Sequence, residues 1–294
     1  MGNVCAAKAT VYTDEAVDDE PTDRALESAV QNPEEIKALI VYVDYGFEPA
    51  KSSGWCPPAF GAKLDTPENA NMIYQLLTGA GVQPSNIWYC ANLKATKDSV
   101  TNAIAQIGEM ADENDTFFFF YSGHGASKQD CSGDEADGMD ECLCLPDPYG
   151  NVNEGTFLTD DEFSAAVAQV QCGQKLIVMD CCHSGSMLDF NKSYWWGQKA
   201  ISLCGCKDPE EAAAFGGGTR GGAFTKMVYH AAMDYAGMDV TVAHIYNQLW
   251  AHHSEMVPPG RQQHMEMQCA PGFAPNNMMW PLKQTQEQQT AGFA

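Results

Sequence analysis

A chain of 294 residues with 45% hydrophobic content can bury one large core or two small ones, so a globular protein is expected. Lys plus Arg number 16 against 39 Asp plus Glu, a net charge of -23, which argues against nucleic-acid backbones and anionic membrane surfaces as partners. Cations and basic peptides are favoured instead.

The sequence has no continuous apolar run of membrane-spanning length, and its first residues lack the basic-then-apolar pattern of a secretory signal. Its 12 cysteines are far sparser than those of small disulfide-built secreted domains. Reduced thiols and a cytoplasmic location are therefore expected. Gly2 and Cys5 in "MGNVCAAK" outline an acylation signal, but Ala6 stands where Ser or Thr is wanted.

Residues 1–36 carry Asp14, Glu15, Asp18, Asp19, Glu20, Asp23, Glu27, Glu34 and Glu35 with few large apolar groups, which predicts a flexible acidic leader. "KALIVYVDY" then reads as a buried strand, followed by a Gly/Pro-rich loop and a helix "TPENANMIYQLL" that Thr66 should cap, with Pro67 at its first position. "NIWYC" predicts a short strand, "TKDSVTNAIAQIGEMA" an amphipathic helix and "DTFFFFYS" a strand apolar on both faces. After the acid-rich "DCSGDEADGMDE" and "CLCLPD" comes a helix "LTDDEFSAAVAQV", in which Thr159 and Glu162 make a capping box. "KLIVMD" is the next strand. Continuous apolar strands alternating with helices imply an α/β fold, a mainly parallel sheet covered on both faces.

The stretch from Gly185 to Gly222 mixes aromatics, charges and glycines without a sustained period and reads as a long loop. Two helices, "AFTKMVYHAAMDYA" and "VTVAHIYNQLWAHHS", a strand "HMEMQCA" and a polar tail at 284–294 complete the chain, with His252 and His253 expected at the surface. The boundaries predicted are a leader at 1–36 and one domain at 37–283, divided into 37–190, a linker loop at 191–222, and 223–283.

Two strands end in reactive residue types. "FFFFYSGHG" delivers Ser122 and His124, while "KLIVMDCCHSG" delivers Asp180, Cys181, Cys182 and His183. In a parallel sheet both carboxyl ends lie on one edge, where open α/β folds place their sites. A cysteine and His124 would then meet, and a thiol beside an imidazole is a strong nucleophile with a proton donor for the leaving group. Either residue alone would ordinarily be structural.

"YSGHGA" and "DCCHSGS" resemble the His and Cys motifs of the metacaspases, a branch of the caspase-like cysteine peptidases. "DEADGMDECLCLPD", "LTDDEF" and "RGGAFTKMVYHAAMD" resemble that family's segments in order, in the type I arrangement and over about 36–282. The resemblance implies a caspase-like α/β/α sandwich and a calcium-activated endopeptidase that cuts after Arg or Lys in protein or peptide substrates and processes itself. By motif, Cys182 is the nucleophile, His124 its general base and acid, and the backbone N–H groups of Gly125 and Cys182 the oxyanion site. Asp180 and Ser122 would line the pocket for the basic side chain. The family's Cys and Asp at that pocket are replaced here by Thr66 and Asn69. Asp140, Asp160, Asp161 and Asp189 match the calcium positions, and hard oxygen donors suit Ca²⁺. Arg220 and Lys207 are the expected self-cleavage positions, and a monomer is expected.

Two competitors remain at this stage. One is a thiol-transfer protein using Cys181 and Cys182, weakened by the strain of a bridge between neighbours and by the lack of CxxC. The other is a calcium-binding regulator that keeps the fold with little peptidase activity. "GGGTRG" lacks the strand that a dinucleotide site needs, "DEADGMDE" lacks EF-hand spacing, and "CLC" and "CGC" lack a second pair to complete a zinc set.

Overall fold

A computed structural model describes residues 10–12, 36–48, 63–130, 133, 138–206, 222–257 and 263–286. Ten strands appear among them: β1 (Thr10–Tyr12), β2 (Ile36–Tyr42), β3 (Ile87–Ala91), β4 (Thr116–Ser122), β5 (Gly125–Gln129), β6 (Met139–Leu143), β7 (Leu158–Thr159), β8 (Gln174–Asp180), β9 (Ala200–Cys204) and β10 (Glu266–Cys269). Five helices join them: α1 (Thr66–Gly79), α2 (Lys97–Met110), α3 (Asp160–Ala168), α4 (Ala223–Asp234) and α5 (Val242–Met256). The main sheet runs in the order β1-β10-β9-β8-β4-β2-β3, parallel from β9 to β3 with an antiparallel edge of β10 and β1.

Strand β4 shows why the sheet is covered on both faces. Successive side chains of a strand point to opposite sides. Phe118 and Phe120 join a core with Ile73 and Leu77 of α1, Met227 of α4 and Leu249 of α5. Phe117 and Phe119 join the opposite core with Val100 and Ile104 of α2 and Phe163 of α3. All four rings are fully buried, each contributing on the order of 1.5–3 kcal/mol. This is the α/β/α sandwich with a mainly parallel sheet that the strand pattern predicts. A second sheet, β5-β6-β7, is antiparallel and sits beside the carboxyl edge of the first.

Several predicted elements require correction. The expected loop over 191–222 contains a buried 3-10 turn at Ser193–Trp195 and strand β9, whose five residues are all buried between β8 and β10. A strand hidden on both faces has no alternation to betray it, and "AISLC" is too short to stand out. Within the acidic leader, β1 pairs antiparallel with β10; "TVY" is β-prone and is ordered by the strand it joins, not by its own core. Asp65, not Thr66, occupies the cap of α1 and makes no side-chain cap bond, while Thr66 is the first helical residue and is buried. The Thr159–Glu162 capping box is present. His252 and His253 are half-buried and bonded, to Asp234 at 2.6 Å and to the Gln263 carbonyl at 2.7 Å. Gln284 of the polar tail is buried and its amide donates to the Leu76 carbonyl at 2.8 Å. No helix among the described residues is long and apolar enough to cross a membrane.

Candidate active site

Tyr42, Ser122 and Asp180 end three neighbouring strands in one register row, so the polypeptide leaves the sheet at β2, β4 and β8 along a single edge. The strand carrying the two cysteines is the central one of the seven. After Asp180 the chain alternates once more: Cys181 is 1% exposed, whereas Cys182 is only partly covered. His183 then adopts a left-handed backbone (φ 50°), unusual for a residue other than glycine, and turns the chain out of the sheet. The Ser184 hydroxyl donates to the Cys181 carbonyl at 3.0 Å and fixes that turn.

The histidine motif is seated against this turn. Gly125 lies so close to the nucleophile motif that a Cβ built there would stand 1.8 Å from the Cys182 carbonyl oxygen. Only glycine allows this approach. His124, one residue earlier, is 7% exposed. Its backbone N–H donates to the Tyr45 hydroxyl at 2.9 Å, and its carbonyl accepts from the Tyr121 hydroxyl at 2.9 Å and from the Cys144 N–H at 3.1 Å. The imidazole lies over the Tyr45 ring with centroids 4.5 Å apart. Burial lowers its pKa to about 4, so the resting ring is neutral and able to accept a proton. Burial also pushes the Cys181 thiol well above its ordinary value, helped by the neighbouring Cys182, Cys204, Asp180 and Cys144. Of the two adjacent thiols, the partly exposed one is Cys182.

Asp180 is buried at the end of β8, on the side of the sheet that faces α4. Its Oδ2 accepts from the Thr225 hydroxyl at 2.5 Å, the Thr225 N–H at 3.2 Å and the Asn69 amide at 3.3 Å. Burial raises its carboxyl and the two Thr225 bonds oppose that rise. The Asn69 amide nitrogen also donates to Ser122 Oγ at 2.9 Å, and the Asn69 oxygen accepts from the Gly222 N–H at 2.7 Å. The four pocket positions expected from sequence are thus served by two neighbouring strand ends and one helix; Thr66 lies one turn before Asn69 on α1. Sequence reasoning missed Tyr45, Gly222 and Thr225. Tyr45 had a signal, since it follows a third strand of the same parallel set, but Thr225 and Gly222 carry no titratable group to attract notice.

The four aspartates expected to hold calcium are near enough to interact in part: Asp160 is repelled by Asp140 and Asp161, and Tyr194 senses Asp189 with Asp160 and Asp161. Asp160 begins α3 and is buried, its Oδ2 accepting from the Glu141 N–H at 3.0 Å and its Oδ1 from the Asp161 N–H at 2.8 Å. Burial raises its pKa to about 6, against those two hydrogen bonds and with repulsion from Asp140 and Asp161. Asp140, on β6, is raised by burial and by Asp130 and Asp161. Its Oδ1 is buried without a hydrogen-bond partner among the described residues. Asp189 is buried and left-handed (φ 42°), and Tyr194 feels it together with Asp160 and Asp161. Asp161 faces Lys192 at 3.1 Å. The donors are all hard oxygens and mutually repulsive, which suits a divalent cation such as Ca²⁺. Among the described residues, no group of three His, Cys, Asp or Glu side chains stands where it could hold a metal ion. Arg220, Lys207, Gly2 and Cys5 lie outside the described residues.

Over residues 70–191, which contain both motifs and all four aspartates, the sequence matches the family description "Metacaspase, peptidase C14 domain". Metacaspase-1 of Pyricularia oryzae is 39% identical over 100 residues, covering 34% of this chain and 24% of that protein. Metacaspase-1 of Arabidopsis thaliana is 32% identical over 142 residues, 40% of this chain and 38% of its own, and Metacaspase-3 of the same plant is 34% identical over 129 residues, 41% and 34%. The chain thus spans between 24% and 38% of the length of these relatives. A solved protein of Geobacter sulfurreducens superposes with a TM-score of 0.62 at 21% identity, covering 85% of this chain and 99% of that one, a likeness of fold.

Proposed function

From its match to the metacaspase peptidase domain over 70–191, we propose that this chain is a metacaspase-type cysteine peptidase, a calcium-dependent endopeptidase acting as a monomer on protein segments with Lys or Arg before the cut bond. The observation that carries the reading is the contact between the two motif turns, with Gly125 pressed on the Cys182 carbonyl and the neutral His124 one residue before Gly125. In the reaction His124 takes the Cys182 thiol proton as sulfur attacks the scissile carbonyl, the backbone N–H groups of Gly125 and Cys182 steady the oxyanion, and the proton passes to the leaving amine. Water then releases the acyl group by the same path. Tyr45 keeps the imidazole in place through its ring and its hydrogen bond to the His124 N–H. A buried Asp180 supports selection of a cation and rejection of an acidic side chain.

Asp140, Asp160, Asp161 and Asp189 would hold the calcium ion, which takes no part in bond making. It would offset the repulsion of these carboxylates and let the β6, α3 and post-nucleophile segments close around the cleft. Magnesium should substitute poorly because it demands a smaller octahedral shell. The self-cleavage proposed at Arg220 and Lys207 follows from the same specificity.

The test is hydrolysis of fluorogenic peptides ending in Arg, Lys or Asp, with calcium and with chelator, beside Cys182→Ala. Turnover of the basic peptides that requires calcium and vanishes in Cys182→Ala is expected. Efficient cleavage after Asp, or equal rates in chelator, would remove the specificity or the calcium claim respectively. A fully folded, calcium-binding protein with no turnover would return the chain to the regulator reading.

A further inference from the structure

Resting on the basic-residue reading above, we propose that the recess over Asp180 is built for a lysine ammonium in preference to an arginine guanidinium. The ground is the way Asp180 spends its two oxygens. Every hydrogen bond that it accepts from the described residues falls on Oδ2: two come from Thr225, through the hydroxyl at 2.5 Å and the N–H at 3.2 Å, and one from Asn69 at 3.3 Å. The Gly222 backbone closes the same side, for a Cβ at that position would stand 2.2 Å from Oδ2. Oδ1 is left for a ligand. A guanidinium is matched by a carboxylate that offers both oxygens side by side, and here one is engaged three times.

Asn69 adds a second restriction. Its oxygen is held by the Gly222 N–H at 2.7 Å, so its orientation is set and its amide nitrogen must face Ser122 Oγ at 2.9 Å and Asp180. A group that donates occupies the place where an acid would accept. It does not help a ligand that has only donors to offer. Arg brings five N–H groups in a rigid plane, and each one left unbonded in a buried recess costs a desolvation penalty.

The acceptors that remain are single and separate. They are Asp180 Oδ1 and a lone pair on the buried Ser122 Oγ, to which we add Thr66 Oγ1, one turn before Asn69 on α1 and buried without a hydrogen-bond partner among the described residues. An ammonium is a compact charge with three rotatable donors, and three single acceptors suit it better than they suit a planar fork.

The experiment uses the full chain in calcium and two peptide-coumarin substrates identical except for Lys or Arg before the cut bond. A kcat/KM about tenfold higher for Lys is expected, carried mainly by KM. Asn69→Asp, which restores a second acceptor, should raise the Arg value and bring the ratio to one or below. Thr66→Val removes one acceptor and should lower the Lys value several-fold while sparing Arg, which keeps the idea testable if Asn69→Asp fails to fold. A wild-type preference for Arg, or equal rates, would overturn the inference while leaving basic specificity intact. Cleavage after neither Lys nor Arg, with cleavage after some other residue, would instead remove the basic-residue reading and this one with it.

Discussion

The closest approach in the site makes Gly125→Ala the most informative single substitution. A Cβ at 125 would lie 1.8 Å from the Cys182 carbonyl oxygen, 2.8 Å from its carbon and 3.5 Å from Cys181 Sγ. The neighbour is backbone on a turn already held in a left-handed conformation at His183, so it cannot swing aside as a flexible side chain would. The two turns must part by roughly 1.5 Å, and a misplacement of about 1 Å is worth about a hundredfold in rate. Overpacking of this kind costs about 1–3 kcal/mol, less than the whole stability of an ordinary domain, so the chain should still fold. The expected result is a fall in kcat of a hundredfold or more, a melting midpoint lowered by a few degrees, and slower alkylation of Cys182. Gly108→Ala, inside α2, is the control, because its Cβ would meet Val170, just past α3, at 3.5 Å, an ordinary contact; it should keep full activity and gain stability slightly. If Gly125→Ala turned over peptide within threefold of wild type, with Cys182 still required, the two motif turns would not be the apposed parts of one catalytic unit.

The acid side of the stability curve should report His124. The unfolded imidazole takes a proton near 6.5 and the folded one only near 4, so the unfolded state binds more protons in between and stability falls as pH drops through that window, by about 3 kcal/mol. Urea denaturation at pH 7 and pH 4.5 should show this loss, much reduced in His124→Gln; equal losses would mean the ring is not buried neutral. Cys181→Ser places a hydroxyl among buried thiols and apolar groups and should lower the melting midpoint with kcat near wild type, whereas Cys182→Ser should do the reverse. Exchanged effects would reassign the nucleophile. Calcium should raise the melting midpoint at pH 7.5 and do so less at pH 5.5, because the Asp160 carboxyl, at about 6, is then protonated and competes with the ion. Asp160→Ala should abolish the shift, and a shift that is independent of both pH and Asp160 would place the ion elsewhere.

Much of this architecture is legible in the sequence because the central strands carry a strong signal. "ALIVY", "FFFFY" and "LIVM" are continuous apolar runs that can be satisfied only between two layers of helices, and each ends in polar residues at the same edge. What escaped reading depends on partners distant in the chain. β5 is a polar segment, "GASKQ", and becomes a strand only because "MDECL" pairs with it. β9 lacks length, and its identity comes from lying between β8 and β10. The recess is the same case: Asp180 and Asn69 meet Thr225 and Gly222 from a helix more than 40 residues on, through a hydroxyl and a bare backbone that no motif search singles out. The family match over 70–191 takes in Asp180 and Ser122 but stops short of Asn69, Gly222 and Thr225, so the groups that hold the Asp180 carboxylate lie outside the part of the chain most readily recognised.

The pair of thiols at the end of β8 follows from the two-residue period of a strand. Asp180 and Cys181 face opposite ways, the carboxylate toward Thr225 and Asn69 and the thiol into the core with Cys144 and Cys204. One residue further the alternation returns the side chain to the cleft, and this is Cys182. Had the strand continued, Cys182 would have been carried under the next turn; the left-handed His183 stops it there, at a backbone cost of about 1–2 kcal/mol that the Ser184 bond to the Cys181 carbonyl helps to offset. The same alternation opposes a bridge between the two sulfurs, since they leave the chain on opposite sides and a bond between neighbours would have to undo the turn. A thiol-transfer site would want the two cysteines free to meet. A single-thiol nucleophile has no use for the second cysteine except as core, and the burial agrees with that division, Cys181 being 1% exposed and Cys182 partly open.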